Sequence, residues 1–427
     1  MDKFVITGGR PLRGTMQPSG NKNAALPMMA ACLLTAEPVI LHNMPNIKDT
    51  QTMRKLLESL GMEIEVLENS SSWRFQAKNI TPSDLDPDLC RQIRASILLA
   101  GPTVARYGDL VLPPPGGDVI GRRRVDTHVL ALEKLGATFR FNGVFDFKSE
   151  RLIGADILLD EASVTATENT IMAAVLAKGT TTIRNAASEP HIQELCKLLN
   201  AMGAGVQNIG SNTLVIEGKE SLHGAEFTIG PDYLEVISFV GAAVVTRGEI
   251  RIKNAGVEHL SMIKMVLKRL GVDITFVGDD ILVSTNQRLV IEPDLGNAIP
   301  EISVMPWPAF PTDLMSIAIV IATQSTGTIL FHDWMYPSRM FFTDKLVSMG
   351  AQIVLCDPHR CIVNGPTRLN AEKLDSPDIR AGIALVLAAL SANGTSIIRN
   401  VAQIDRGYER IEEKLRGLGA EITRETA

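Results

Sequence analysis

Six times along the chain an amphipathic segment runs into an apolar residue, a glycine and another apolar residue: "KLLESLGMEI", "ALEKLGATF", "LLNAMGAGV", "VLKRLGVDI", "KLVSMGAQI" and "KLRGLGAEI". Glycine in that place supplies the left-handed residue that ends a helix before the next strand. The six glycines, Gly61, Gly136, Gly203, Gly271, Gly350 and Gly419, lie 67 to 79 residues apart. That interval is too long for a short solenoid repeat and fits a supersecondary block. Most blocks also carry an apolar helix and then a strand opened by a small turn, as in "AAVLAKGTTTIRNAA", "GAAVVTRGEIRIKNA", "IVIATQSTGTILFHD" and "LAALSANGTSIIRNV". Each block therefore reads as a buried helix, a strand, a half-exposed helix and further strands. Six blocks exceed one core, and the division expected is three plus three, an α/β protein of two similar halves. With no Gly/Ser or charged linker to mark the break, symmetry places the hinge near residue 232, in "TIGPDYLEV". A cleft between such halves suits closure around a substrate.

The bulk numbers narrow the function classes. With 45% hydrophobic but only 5% aromatic residues, the core must be aliphatic, which suits helices and mixed sheets better than a β-sandwich. A net charge of −6 argues against a nucleic-acid or membrane-surface protein, so any anion site must be local. Cys32, Cys90, Cys196, Cys356 and Cys361 are scattered without a CxxC pair, and "MDKFVITGG" is no signal peptide. The expected compartment is the cytoplasm. "CDPHRC" has the composition of a metal site, but its flanks "AQIVL" and "IVNG" make Asp-Pro-His-Arg a hairpin turn. No metal is expected.

Several polar groups stand where helices begin. In "QPSGNKNAALPMMAACLL", Lys22 and Asn23 open an apolar helix, where free N–H groups and an ammonium make either an anion site or an ordinary cap. Ser163, Val164 and Thr165 in "ASVTATENT" carry the same two readings. Asp313 in "PAFPTDLMS" follows a Pro-fixed turn, as an N-cap or, facing a cleft, a general base. "SPDIRAG" offers Asp378 and Arg380, and "IDRGYERIEEKL" puts Arg406 directly before the last amphipathic helix. Arg at a helix start opposes the dipole, so another demand must keep it there. Lys22, Arg94, Arg339, Arg380 and Arg406 occupy comparable places in different repeats; converging on a cleft, they would take a polyanion. "PPPGGDVIGRRRVDTH" adds a glycine loop that sets Asp118 beside Arg122, Arg123 and Arg124.

The stretches "SGNKNAALP", "RASILLAGPTVARYG", "PGGDVIGRRRVDTH", "SVTATENTIMAA", "EPHIQELCKLLNAMGA", "FPTD", "DIRAG" and "IDRGYERIEEKLRGLGA" run in order from end to end. Together they resemble the UDP-N-acetylglucosamine 1-carboxyvinyltransferases, the enolpyruvyl transferases of peptidoglycan synthesis. The shikimate branch fits less well, its "DKS" and "NAGTA" type stretches being missing. The resemblance implies two pseudo-symmetric inside-out α/β domains of three repeats each, with an interdomain cleft. The domains expected are 22–232, and 1–21 with 233–427, the N-terminal strand completing the second. It implies transfer of the enolpyruvyl group of phosphoenolpyruvate to the 3-hydroxyl of UDP-N-acetylglucosamine, with release of phosphate, by a monomer without a cofactor. A related enolpyruvyl transferase acting on another nucleotide or sugar acceptor is the alternative.

Carried over where motifs match, the catalytic set would be Asp118, Asp313, Lys22, Arg406 and Asp378. The phosphoenolpyruvate contacts would be Lys22, Asn23, Arg123, Arg339, Arg380 and Arg406. Those of the nucleotide sugar would be Arg94, Arg123, Arg124, Val125, Asp126, Thr127, Glu161, Ala162, Ser163, Val164, Asp313 and Met335. Most family members have Cys at the place of Asp118, and the acid role survives the exchange. Without that thiol the chain is expected to resist fosfomycin, the epoxide that alkylates it. The chain departs from the family's pattern at Arg124, where Pro is usual, at Glu161, and at Pro337-Ser338.

Overall fold

The structure is a computed structural model, and it describes residues 2–68, 71–82, 85–118, 120–121 and 123–426. All six glycine-terminated helices end alike, for a reason written in six consecutive residues. The glycines have φ between 76° and 103°, a conformation that costs a side chain strain and glycine none. Turning left-handed there lets the next residue's N–H reach back to a carbonyl of the last turn. The bonds are Met62 N to Leu57 O, Ala137 N to Leu132 O, Ala204 N to Leu199 O, Val272 N to Leu267 O, Ala351 N to Leu346 O and Ala420 N to Leu415 O, at 2.9 to 3.1 Å. The flanking apolar residues, such as Leu60 and Met62, are buried, apart from a half-buried Ala204, closing each end as a Schellman motif.

The chain forms two compact units, Met1–Ser19 with Val119–Arg122 and Pro231–Ala427, and Gly20–Asp118 with Arg123–Gly230. In the first unit three helices, Tyr233–Val245, Met315–Thr323 and Ile379–Ser391, are buried almost throughout and pack against one another. Gly241 permits that approach: a Cβ there would stand 2.7 Å from Leu387 Cδ2 and 2.9 Å from Ile317 Cγ2. The amphipathic helices and the sheets lie around this helical centre, which is the inverse of a sheet-centred α/β domain.

Each central helix feeds a strand with the same neighbours. Glu249–Ile252 lies parallel to Arg13–Met16 and antiparallel to Asp280–Val283, which pairs Ile274–Val277. Gly327–His332 lies parallel to Glu301–Ser303 and antiparallel to Arg360–Gly365, which pairs Gln352–Asp357 across the Asp-Pro-His-Arg turn. In the last block Thr395–Arg399 lies parallel to Lys373–Asp375 and does not pair directly with Glu421–Glu425. Lys3–Thr7 takes the vacant middle place, antiparallel to both Glu421–Glu425 and Thr395–Arg399.

The second unit repeats the plan with central helices Lys22–Ala31, Ala100–Tyr107 and Val164–Ala174. Among the described residues, two of its sheets have four strands and the third, Asp109–Leu112 with Phe145–Lys148 and Thr138–Phe141, has three. Among the described residues no helix is long and apolar enough to cross a membrane. The five cysteines are free, all but Cys356 buried.

Candidate functional site

In the first unit the polar groups gather where central helices begin, because that is where a buried helix leaves N–H groups without carbonyl partners. Asp313 lies in the 3₁₀ turn Thr312–Leu314 leading into Met315–Thr323. Its carboxylate accepts from Arg339 Nη2 at 3.0 Å and from Arg380 Nε at 3.1 Å. Both guanidiniums are buried, at 5% and 4% exposure, so neither charge has water to lean on. Burial works to lower the pKa of each arginine, but Asp313 together with Asp378 and Asp333 around Arg339, and with Tyr408 and Asp232 around Arg380, outweighs it and both are raised. Two permanent cations thus face the group placed as a general base. Arg339 Nε is buried without a hydrogen-bond partner among the described residues.

Asp378 caps Ile379–Ser391, its Oδ1 accepting from Arg380 N and Ala381 N at 2.8 and 2.9 Å. This fixes the backbone from which Arg380 extends. Met335 is half-buried against the core, and Asp333 holds its segment by accepting from Met335 N and Tyr336 N while Thr312 Oγ1 donates at 2.5 Å. Burial pushes the Asp333 carboxyl up. Arg406 requires a correction. It ends the 3₁₀ turn Val401–Arg406, and four residues separate it from the start of the helix Ile411–Gly417. Gly407 and a left-handed Arg410 in "RGYER" stop that helix from reaching back. No unfavourable dipole therefore acts on Arg406, and its Nη1 donates to Gln403 Oε1 at 3.2 Å.

In the second unit Asn21 caps Lys22–Ala31, accepting from Asn23 N and Ala24 N at 2.8 and 3.2 Å. Lys22 lies at that opening with its ammonium 2.6 Å from Asp49 Oδ2, both side chains nearly buried. Asn23 is half-buried beside it. Arg94 opens the 3₁₀ helix Arg94–Leu99, and its Nη2 donates to the carbonyls of Arg123 and Arg124 at 3.1 and 2.8 Å. The loop closes over this pair through Gly117, whose φ of 106° and close approach to Arg94 Cβ and Arg123 Nη1 exclude a side chain. Asp118 follows, half-buried. Arg122 lies outside the described residues.

The nucleotide-sugar candidates of this unit form a connected group. Val125 precedes Asp126–Lys134, and Asp126 stands exposed in its first turn. Thr127 Oγ1 donates to Asp160 Oδ1 at 2.6 Å, and Arg124 Nη2 to Asp160 Oδ2 at 2.7 Å. Thr127 first and Arg124 next hold the Asp160 carboxyl below the ordinary range. Arg124 also faces Asp126 Oδ2 at 3.3 Å and Glu161 Oε2 at 3.9 Å. Two of the departures from the family's pattern, Arg124 and Glu161, thus balance each other. Glu161 and Ala162 form the turn into Val164–Ala174, where Ser163 N donates to Glu161 O and Ser163 Oγ caps Ala166 N. The third departure faces the loop tip: Ser338 N donates to Ile120 O at 3.3 Å, and Gly121 passes against Pro337.

Asp49, Asp160, Asp333 and Tyr408 had no part in the sequence reading. Asp49 stands in the first turn of Lys48–Ser59, an ordinary dipole partner by its local pattern. Nothing local marks it as the counter-ion of Lys22.

The sequence matches the family model of EPSP synthase (3-phosphoshikimate 1-carboxyvinyltransferase) over residues 6–415. A UDP-N-acetylglucosamine 1-carboxyvinyltransferase of Bradyrhizobium diazoefficiens is 55% identical over 99% of this chain and 98% of its own length. One from Treponema denticola is 52% identical over 99% of both. The chain belongs to the UDP-N-acetylglucosamine 1-carboxyvinyltransferase family of enolpyruvyl transferases. The family's architecture recurs in the enolpyruvyl transferase NikO from Streptomyces tendae, with a TM-score of 0.88 and 25% identity over 100% of this chain and 99% of that one. EPSP synthase from Acinetobacter baumannii, 17% identical over the full length of both chains with a TM-score of 0.77, shares the fold.

Proposed function

We propose that this enolpyruvyl transferase moves the enolpyruvyl group of phosphoenolpyruvate to the 3-hydroxyl of UDP-N-acetylglucosamine, releasing phosphate in the first committed step of peptidoglycan synthesis. The observation that carries the assignment of roles is Asp313 held between the buried Arg339 and Arg380. A carboxylate fixed beside two permanent cations combines a base with an anion site, as a reaction between a hydroxyl and a trianion demands.

Lys22, Asn23, Arg123, Arg339, Arg380 and Arg406 hold phosphoenolpyruvate. The nucleotide sugar is held by Arg94, Arg123 to Thr127, Glu161 to Val164 and Met335. Asp313 takes the proton of the 3-hydroxyl as that oxygen bonds to the substituted carbon of phosphoenolpyruvate. Asp118 delivers a proton to the methylene carbon, which becomes a methyl group. Phosphate then leaves, a proton returns from the methyl, and the vinyl ether of the sugar remains. Asp378 acts by holding the turn from which Arg380 extends. The opposite charges of Arg124 and Glu161 face each other, so neither departure adds an unopposed charge to the acceptor end, which supports the same acceptor. The proposal includes a cytoplasmic monomer, supported by the scattered free cysteines and two small, water-soluble substrates.

Turnover in deuterated water, with the product analysed by mass spectrometry, tests the sequence of steps. Deuterium in the vinyl group of a UDP-N-acetylglucosamine adduct is expected. An adduct formed with no deuterium would refute protonation at that carbon, and phosphoenolpyruvate consumed without an adduct would refute the transfer.

A further inference from the structure

Arg380 is held at two points of its planar fork, and the second has no counterpart in the steps above. Arg380 Nη1 donates to Tyr408 Oη at 3.3 Å, on the other side of the guanidinium from the Nε bond to Asp313. Tyr408 Oη in turn lies 2.9 Å from Ser238 Oγ, and Ser238 Oγ donates to Leu234 O at 2.7 Å. All three side chains are buried. The proton order in this chain is forced. A carbonyl only accepts, so the Ser238 proton is spent on Leu234, and Tyr408 must donate to Ser238. The phenol oxygen then turns its lone pairs to Arg380.

We propose that Tyr408 is a positioning residue for Arg380, orienting the guanidinium toward phosphoenolpyruvate through the Ser238 to Leu234 chain. One anchor on a guanidinium leaves it free to swing about that bond, whereas two fix its plane and the direction of the remaining donors. The identity of the second anchor matters. A second carboxylate would orient the fork equally well but would cancel the charge that Asp313 has already halved. A phenol orients without neutralising. Burial pushes the Tyr408 hydroxyl up to about 12, so it stays a neutral acceptor through any working pH. Tyr408 also donates its N–H to Ile404 O at 3.0 Å, seating it at the close of the turn that carries Arg406. One residue thereby sets the direction of Arg380 and the end of the segment bearing Arg406.

The inference rests on the reading of Arg380 as a phosphoenolpyruvate ligand, and the test separates the two. Tyr408→Phe keeps the ring and removes the anchor. It is expected to raise the KM for phosphoenolpyruvate about 10- to 150-fold, the range for one hydrogen bond to a charged group, with the KM for the nucleotide sugar within about twofold. Ser238→Ala, a second route to the same chain, is expected to give a smaller rise of about two- to fivefold in the same constant. Added to Arg380→Lys, Tyr408→Phe should raise that KM by less than about twofold, since the oriented fork is already gone. Equal changes in both substrates' KM, or additive effects in the double variant, would show that Tyr408 only supports the fold. Should Arg380→Ala leave the KM for phosphoenolpyruvate unchanged, the ligand reading itself fails. Should it raise that KM while Tyr408→Phe and Ser238→Ala do not, the positioning role alone is overturned.

Discussion

Lowering the pH below 6.5 should destabilise the second unit by an amount set by His128. This residue is fully buried, and its hydrogen bonds fix it as the neutral ring. Asn169 Nδ2 reaches Nδ1 at 2.8 Å and can only donate, so Nδ1 accepts and Nε2–H is left for Thr165 Oγ1 at 3.1 Å. Burial, and then the nearby charge of Arg94, lower its pKa from 6.5 to about 3. The unfolded chain therefore binds a proton that the folded one refuses, and stability falls with pH from 6.5 down to about 3. Between pH 7.5 and pH 5 the loss from this one group is about 2 kcal/mol. The assay is urea unfolding at half-unit pH steps, followed by hydrogen exchange on peptides of residues 126–134 and 164–174. Other groups titrate too, so His128→Asn is the control: Asn keeps an acceptor for Asn169 and removes the titration. The variant should be about 1–3 kcal/mol less stable at pH 7.5 but lose about 2 kcal/mol less on going to pH 5. Parallel pH profiles for the two proteins would refute the buried neutral ring.

Asp313→Asn should lower kcat by about 10²–10⁴, and retention of more than about a tenth of turnover would remove Asp313 from the base role. Asp313→Ala should in addition destabilise the first unit by about 3–5 kcal/mol, because it strands two buried guanidiniums against each other. Asp118→Cys should become sensitive to time-dependent inactivation by fosfomycin while the parent resists, because a thiolate opens an epoxide and a carboxylate does so poorly. Inactivation of the parent, with an adduct mapped to the loop, would contradict this. Gly121→Ala should cut kcat/KM about ten- to a hundredfold by displacing the loop beside Asp118. Its φ is 119° and a Cβ would meet Pro337 Cδ at 2.8 Å, so unchanged kinetics would mean that the loop tip need not rest there.

What the sequence makes legible here is what is decided within a few residues. Each glycine-ended helix is a local event: Gly61 turns left-handed and Met62 reaches back to Leu57, whatever else the chain does. The same holds for Asn21, Asp378 and Ser163, whose caps lie within three residues. The charge pairs that make the site are of another kind. Asp313 meets Arg380 across 67 residues and Arg124 meets Asp160 across 36, distances at which periodicity carries no information. Asp49 and Tyr408 were missed for this reason, each having an unremarkable place in its own element. Arg406 was misplaced for a local one. The helical pattern of "ERIEEKL" is plain, but the left-handed backbone of Arg410 that delays its start is an uncommon state for that residue type.

The identity of the group that accepts the enolpyruvyl unit decides the proposed function. Continuous measurement of phosphate release from phosphoenolpyruvate, with a panel of UDP-sugars supplied one at a time, tests it most directly. UDP-N-acetylglucosamine should release one phosphate for each sugar converted, and omission of the nucleotide sugar should abolish the signal. Release with a different nucleotide or sugar and none with UDP-N-acetylglucosamine, or no release with any of them, would contradict the proposed function.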